Sequence, residues 1–276
     1  MDKTAIWAIA TKDMRSIVSS VRVWLPMLVI PFLLGVVAPG MMIVLAGYGD
    51  FSQFGDLQFV YELMQRLEGT ELYDRLQSFS TFNQKMVYLL ITYLYTPFFL
   101  VIPIMASSVV AANSFVGEKE RKTLESLLLS PVDMLSLFIG KVLSAFIPAI
   151  TISYIIFIFF GITVNLLTAP LFPQTIFPTV DWIIMIGWVV PAVCLFVILF
   201  NVLISAKVRG FQEAYQLGSV VVIPIVILIV SQLFGYFFLS TWRIFLIGAI
   251  VFCIDLIFIR WFSRQQYRIK LAEKQL

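Results

Sequence analysis

Hydrophobic positions along the chain form long runs that no charged residue interrupts. Five such runs cover Val23–Gly49, Met86–Gly117, Val142–Val180, Trp182–Ala206 and Ala214–Trp242. A helix needs about 20 apolar residues to cross the hydrocarbon core of a bilayer, and a soluble core does not require runs of this length. The pattern therefore predicts an all-α polytopic membrane protein, since helices satisfy their backbone groups within the membrane.

Length and turn residues divide these runs into six transmembrane helices within residues 23–262, with residues 1–22 and 263–276 outside the bilayer. Only Phe238 to Thr241 separate the last two candidates, so this stretch could also be one broken helix, but its length favours two crossings. The predicted spans are Val23–Ala46, Met86–Ser114, Val142–Leu166, Trp182–Ala206, Leu217–Leu239 and Trp242–Phe262.

The composition of the 276 residues agrees with a membrane location and excludes several chemistries. Of these residues 61% are apolar and 13% are charged, whereas about a quarter of a soluble domain is charged. No histidine is present, which excludes a histidine-based catalytic triad and an imidazole metal site. Cys194 and Cys253 both lie in apolar runs, so no disulfide framework is indicated. The net charge is +3, but the basic residues form no stripe interleaved with aromatic residues, so no nucleic-acid partner is expected.

Basic residues are distributed unequally between the two sides of the predicted spans. Fifteen of the nineteen lie in the segments 1–22, 119–141, 207–209 and 260–274, all on one side. Lys and Arg accumulate in the cytoplasmic segments of membrane proteins. Both termini are therefore predicted to be cytoplasmic, and the even number of spans agrees with this orientation.

Residues 1–22 are too polar to cross a membrane but are patterned as an amphipathic helix. Such a helix is expected to lie on the inner leaflet in contact with lipid, either as a simple anchor or as an element that also transmits force to the first span. Its apolar face is predicted to contain Ile6, Trp7, Ala10, Met14, Ile17, Val18 and Val21. The opposite face contains Lys12, Arg15, Ser16, Ser19 and Arg22.

The two outer loops differ in pattern. Within the first, residues 47–85, the segment Leu57–Leu67 has apolar residues at helical spacing and predicts a short amphipathic helix, which is either a structural lid or a substrate contact. The second contains Pro170, Pro173 and Pro178 and is predicted to be irregular.

One inner loop carries a distinctive charged segment, residues 118–130, between the second and third spans. Gly117 is predicted to end the preceding helix and Pro131 to stop a short helix that follows it. Its mixed charges favour a protein partner over a lipid surface, although a plain solvated linker is the alternative. The residues assigned to this contact are Glu118, Lys119, Glu120, Arg121, Thr123, Leu124, Glu125, Leu127, Leu128 and Pro131.

At these residues the sequence resembles the permease subunits of type-2 ABC transporters, whose first cytoplasmic loop carries a run close to Glu-Lys-Glu-Arg-x-x-Thr-Leu-Glu-x-Leu-Leu-x-x-Pro. Three other segments are also similar to the family, Lys12–Arg15, Gly140–Lys141 and Ser205–Gly218. The connection at Phe238 to Thr241 is too short for the re-entrant outer hairpin that some polysaccharide and sterol members of the family have between their last two spans.

The resemblance implies a six-helix permease that works as a dimer, with a second copy or a related permease, together with two cytoplasmic ATPase subunits. Residues 118–130 would be the coupling helix, ATP and Mg would bind to the ATPase partner, and substrate would move outward across a prokaryotic cell membrane. The chain itself is not expected to be an enzyme, since it has no GxxxxGK(S/T) phosphate loop. A secondary transporter or a membrane enzyme is the alternative, but no inverted repeat or convergent set of catalytic side chains is visible.

Asp255 is the only acid well within a predicted span. An intramembrane acid must face protein, water or a partner, so the hypotheses are a structural pair with Lys141 or another inner-leaflet base, or a role in gating or cation contact. Weak candidates for a pathway lining are Thr92, Tyr93, Tyr95, Thr96, Asn201 and Ser205, which suit an amphipathic cargo such as a lipid or peptide. Five prolines lie within the predicted spans and are either hinges or tolerated kinks: Pro97, Pro103, Pro148, Pro191 and Pro224.

Overall fold

A computed structural model of the chain describes residues 3–49, 58–120, 133–205, 208 and 211–273. Within these ranges the chain forms helices joined by turns and contains no strand. Six helical segments are long and apolar enough to cross a membrane, which confirms the predicted fold class. They are Val23–Tyr48, Phe82–Ser114, Met134–Thr168, Val180–Ser205, Gln212–Leu233 and Thr241–Phe262.

Several of these spans consist of more than one helical segment, and two short helices lie between the first and second spans. The α-helices are α1 (Lys3–Ser19), α2 (Val21–Phe32), α3 (Ala38–Tyr48), α4 (Gln58–Arg66), α5 (Glu71–Gln77), α6 (Phe82–Leu89), α7 (Tyr95–Phe99), α8 (Val101–Glu120), α9 (Met134–Thr168), α10 (Val180–Ile184), α11 (Val190–Ser205), α12 (Phe211–Gly218), α13 (Val222–Leu233) and α14 (Thr241–Glu273).

Three spans contain a π-helical stretch, and each stretch is followed closely by a proline. The stretches are Leu33–Val37, Leu90–Leu94 and Met185–Val189. Proline lacks an N–H, and its ring clashes with the carbonyl four residues earlier. For Pro39 this is the carbonyl of Gly35, for Pro97 that of Tyr93, and for Pro191 that of Gly187. Each of these carbonyls lies inside the π-helical stretch, where the wider turn accommodates the ring. Pro148, by contrast, lies within the continuous helix α9.

The fifth span ends earlier than predicted, so the connection to the sixth is longer than the Phe238 to Thr241 stretch expected from hydropathy. Helix α13 ends at Leu233 and α14 begins at Thr241. Gly235 adopts a φ of 70°, and the N–H groups of Gly235 and Tyr236 donate to the carbonyls of Gln232 and Ser231 at 3.0 and 2.8 Å. This is a Schellman ending, which requires a left-handed residue that glycine supplies without strain.

An aromatic cluster holds the second, third and fourth spans together. Trp182 is fully buried, and its ring centroid lies 5.4 Å from that of Phe99, 4.8 Å from that of Phe160 and 5.3 Å from that of Phe177. Phe177 belongs to the second outer loop, residues 169–179, which contains no helix and confirms the irregular segment predicted from its prolines.

The first outer loop forms a small helical cap. Helix α4 confirms the predicted amphipathic helix, and its Leu63 is buried together with Leu67, which follows the helix. Helix α5 was not predicted; Thr70 caps it by accepting the N–H of Tyr73 at 3.3 Å. The guanidinium of Arg66 donates to the carbonyl of Phe234 at 2.5 Å, so the cap contacts the connection between the fifth and sixth spans.

Candidate functional site

Three helices meet at one end of the bundle, here called the basal end: α1, the last part of α8 and the first part of α9. Helix α1 packs along α9. At Gly140 the two backbones approach so closely that an added Cβ would lie 3.0 Å from the Ile6 carbonyl oxygen and 3.0 Å from the Ile9 Cβ. A side chain at this position would push its neighbours by a few tenths of an ångström, which glycine avoids. Gly140 sits immediately before Lys141.

Lys141 and Asp13 form a buried ion pair at the basal end. The Lys141 Nζ lies 3.9 Å from Asp13 Oδ2, and the exposed fractions of the two residues are 6% and 7%. The same ammonium donates to the carbonyl oxygen of Ser114 at 2.9 Å. One cation thus joins α1, α8 and α9. A buried charge is tolerated only with such partners, because removal of one partner leaves the other desolvated and uncompensated.

The helix of the second span continues past the apolar region. Helix α8 runs without a break to Glu120, so the prediction that Gly117 ends it is wrong. Glycine lowers helix propensity by only about 1 kcal/mol, which neighbouring turns can override. The backbones of Glu118, Lys119 and Glu120 are therefore helical. The other residues predicted for the contact, Arg121, Thr123, Leu124, Glu125, Leu127, Leu128 and Pro131, lie outside the described residues.

A second inner segment packs against α8 at the same end. Ala112 of α8 is fully buried with Val208 and with Ala214 of α12. Nearby, an added Cβ at Gly218 would lie 2.6 Å from the Asn201 Oδ1, so the fourth span and α12 are closely packed as well. The basal end thus brings together three segments that share motifs with the transporter family, around residues 13, 141 and 214. They pack against the part of α8, near Ser114, that leads to the charged segment.

Helix α1 lies within the segment predicted to be amphipathic, and part of its predicted apolar face packs against the bundle. Its buried stripe is Ile6, Ala10, Asp13 and Ile17. Trp7 and Val18, both assigned to the apolar face, have exposed fractions of 59% and 72%, and Val21 is also exposed. Lys12 and Arg15 are exposed as predicted, whereas the side chain of Arg22, in α2, lies outside the description. The polar residue on the buried stripe, Asp13, was missed because its partner is remote in sequence.

Asp255 is not part of the basal ion pair. Its side chain is completely buried, and neither carboxylate oxygen has a hydrogen-bond partner among the described residues. The predicted pair with Lys141 is wrong, because the ammonium of Lys141 is directed to Asp13 and Ser114. A gating role for Asp255 stays a prediction.

The polar side chains predicted to line a pathway form hydrogen bonds within the chain. Thr92 and Thr96 donate to carbonyls of their own helix. The Tyr95 hydroxyl donates to the carbonyl of Leu34. Ser205 donates to the Val202 carbonyl at 2.6 Å, and the Asn201 amide donates to that of Val197 at 2.9 Å. These groups therefore stabilise helices and helix contacts in this conformation.

Tyr93 forms the one reciprocal polar contact described between the second and fifth spans. Its hydroxyl donates to the carbonyl oxygen of Gln232 at 2.9 Å, and the Gln232 amide donates to the Tyr93 carbonyl at 2.9 Å. Both side chains are buried, so the contact fixes the relative position of these spans.

Six helices that are long and apolar enough to cross a membrane, with charged segments gathered around the end of one of them, define a polytopic membrane protein. The family model described as ABC-2 family transporter protein matches residues 7–257. The chain therefore belongs to the ABC-2 transporter family and is a permease component of an ABC transporter, a role that implies ATP-binding partner subunits. Comparison with curated proteins and with solved structures found no match.

Proposed function

We propose that the protein is the membrane subunit of an ABC exporter, which moves substrate outward with ATP hydrolysed by two separate ATPase subunits. These subunits would bind ATP and Mg and dock on residues 118–130. A second copy of the chain or a related permease would complete the transporter. The observation that carries the proposal is the continuous helix α8, which joins the second span to the start of that charged segment.

The basal end supports this proposal because it is built to pass on a displacement. Ser114, where Lys141 holds α8, precedes Glu118 by one helical turn, about 6 Å along the axis. A force applied at Glu118 would therefore reach the second span directly. Through Lys141 it would also reach the third span and, through Asp13, helix α1. A flexible linker at this position would lose the displacement.

The charge distribution supports the orientation required by this function. With both termini in the cytoplasm of a prokaryotic cell, residues 118–130 face the compartment that contains ATP. Lys12 and Arg15 on exposed positions of α1 would then face the anionic headgroups of the inner leaflet, and Trp7 would lie at the interface.

The experiment uses the full chain co-expressed with a candidate ATPase and reconstituted in lipid vesicles. The double variant Glu118→Lys/Glu120→Lys and the variant Leu127→Asp are expected to reduce ATPase co-purification, or to leave ATP hydrolysis uncoupled from transport. A matched control, Glu71→Lys/Asp74→Lys, makes the same charge change at exposed positions of α5. It is expected to co-purify normally.

Two results would contradict the proposal. Scrambling the order of residues 118–130 without loss of ATPase binding and transport would show that the segment is a linker. Accumulation of substrate inside rather than outside cells would show that the direction is wrong.

A further inference from the structure

We infer that Asp255 is an intramembrane proton-binding site, at which the sixth span holds a neutral carboxylic acid against the fourth span. The inference depends on the packing of these helices and is independent of where an ATPase docks.

Aromatic side chains lie about one helical turn before and one turn after Asp255. Phe252 and Phe258 lie three residues before and after Asp255, near the same face of α14. The Phe252 ring centroid lies 5.6 Å from that of Trp188, and the Phe258 centroid lies 6.0 Å from that of Phe196. Both partners belong to the fourth span. Asp255 therefore sits between two ring pairs that join the fourth and sixth spans, which explains its complete burial.

No cation of the neighbouring spans is available to the carboxyl group. Lys141, the only basic residue of the third span, is held by Asp13 and Ser114. The only charged residue of the fourth span, Asp181, is itself an acid and accepts a hydrogen bond from Thr241.

The bases of the sixth span also point elsewhere. Arg243 donates to the Phe238 carbonyl at 2.6 Å. Arg260 is exposed, and a separation of five residues places it about 140° around the helix from Asp255. The remaining titratable side chains of the third, fourth and sixth spans, Tyr154, Cys194 and Cys253, cannot carry a positive charge.

The absence of a counter-ion among the described residues decides the charge state of Asp255. An isolated carboxylate in an apolar interior is strongly disfavoured and takes up a proton instead. One carboxylate oxygen forms an O–H bond with a proton from a hydronium ion of the surrounding water, which is left as H2O; the carboxyl group changes from −1 to neutral, and no electron is transferred. The proton can return to water only when the fourth and sixth spans separate. The site thus binds a proton in the packed conformation and releases it in an opened one.

Infrared spectroscopy of the full chain in lipid vesicles at neutral pH tests the inference. The wild type is expected to show a carbonyl band of a protonated carboxylic acid that shifts in deuterated water. The band should be lost in Asp255→Asn and kept, with a shifted frequency, in Asp255→Glu. Asp74→Asn is the matched control, because Asp74 is an exposed acid of α5 and its replacement should leave the band unchanged.

Each other outcome overturns the inference. A wild-type spectrum without the protonated-acid band at neutral pH would show that Asp255 is ionised and holds a cation. A band that persists in Asp255→Asn would assign the protonated acid to another residue. Neither result would alter the expected binding of an ATPase at residues 118–130, so the two proposals fail separately.

Discussion

Asp13 and Asp255 are both buried carboxyl groups, yet their surroundings are opposite. Asp13 lies at the basal end, 3.9 Å from the ammonium of Lys141. Along its helix Asp255 lies between two ring pairs that join the fourth and sixth spans, and neither of its oxygens has a hydrogen-bond partner within the described ranges. Burial alone therefore does not assign a role to an intramembrane acid. A paired acid holds helices together through its charge, whereas an unpaired one has to give its charge up.

The strongest test of this contrast removes the charge of Asp13. The variant Asp13→Asn removes the carboxylate that lies 3.9 Å from the buried ammonium of Lys141, which keeps its hydrogen bond to the carbonyl of Ser114. We expect a loss of about 3 kcal/mol or more in the free energy of unfolding. The measurement is thermal unfolding in one detergent, followed by tryptophan fluorescence. Asp74→Asn, at an exposed position, is the control, and equal unfolding temperatures for the two variants would contradict the expectation.

The second test concerns the close crossing that brings Asp13 to Lys141. Valine at position 140 would meet the Ile6 carbonyl and the Ile9 side chain, so Gly140→Val should push α1 away from the third span. We expect a cost of about 1–3 kcal/mol, the usual range for overpacking.

Gly187→Val is the matched control for this crossing, because nothing lies within 4 Å of an added Cβ at Gly187. Both variants place a β-branched residue in a helical segment. Disulfide trapping between cysteines introduced on α1 and α9 should decrease in the first variant only. Undiminished trapping in Gly140→Val would show that the crossing tolerates a side chain.

A third test neutralises both partners at the basal end. In Asp13→Asn/Lys141→Gln no charge is left buried, and two amides can bond to each other and to the Ser114 carbonyl. We expect the free energy of unfolding of the double variant to be about 1 kcal/mol below that of the wild type. The second substitution would thus recover most of the stability that Asp13→Asn loses. Unfolding temperatures of the wild type, both single variants and the double variant complete the cycle. If the loss in the double variant equals the sum of the losses in the two single variants, the two side chains do not interact.

Much of the architecture could be predicted from the sequence because membrane-crossing helices leave a strong signal. The sixth span, for example, was predicted as Trp242–Phe262 and is observed as Thr241–Phe262. The end of the fifth span was missed because residues 234–239 remain largely apolar after the helix has ended at Leu233. Hydropathy detects where a chain is apolar, not where its backbone turns.

The same limit explains what was missed at the basal end. In a soluble protein an apolar face marks a protein contact, but in a membrane protein lipid accepts apolar side chains equally well. Trp7 and Val18 therefore gave no indication that α1 buries a neighbouring stripe containing Asp13. The family motif did place Asp13 and Lys141 in two separate similar segments, although only the structure shows that they form a pair.

The smallest effect is expected at the unpaired acid. If Asp255 is already neutral, Asp255→Asn exchanges one neutral polar group for another of nearly the same shape and breaks no described hydrogen bond. We expect a change in unfolding free energy on the order of 0.5 kcal/mol, small beside the effect of the same substitution at Asp13. Parallel thermal unfolding of the two Asp→Asn variants compares their losses of stability directly. A loss at position 255 as large as that at position 13 would mean that Asp255 is ionised and structural, and the contrast between the two acids would disappear.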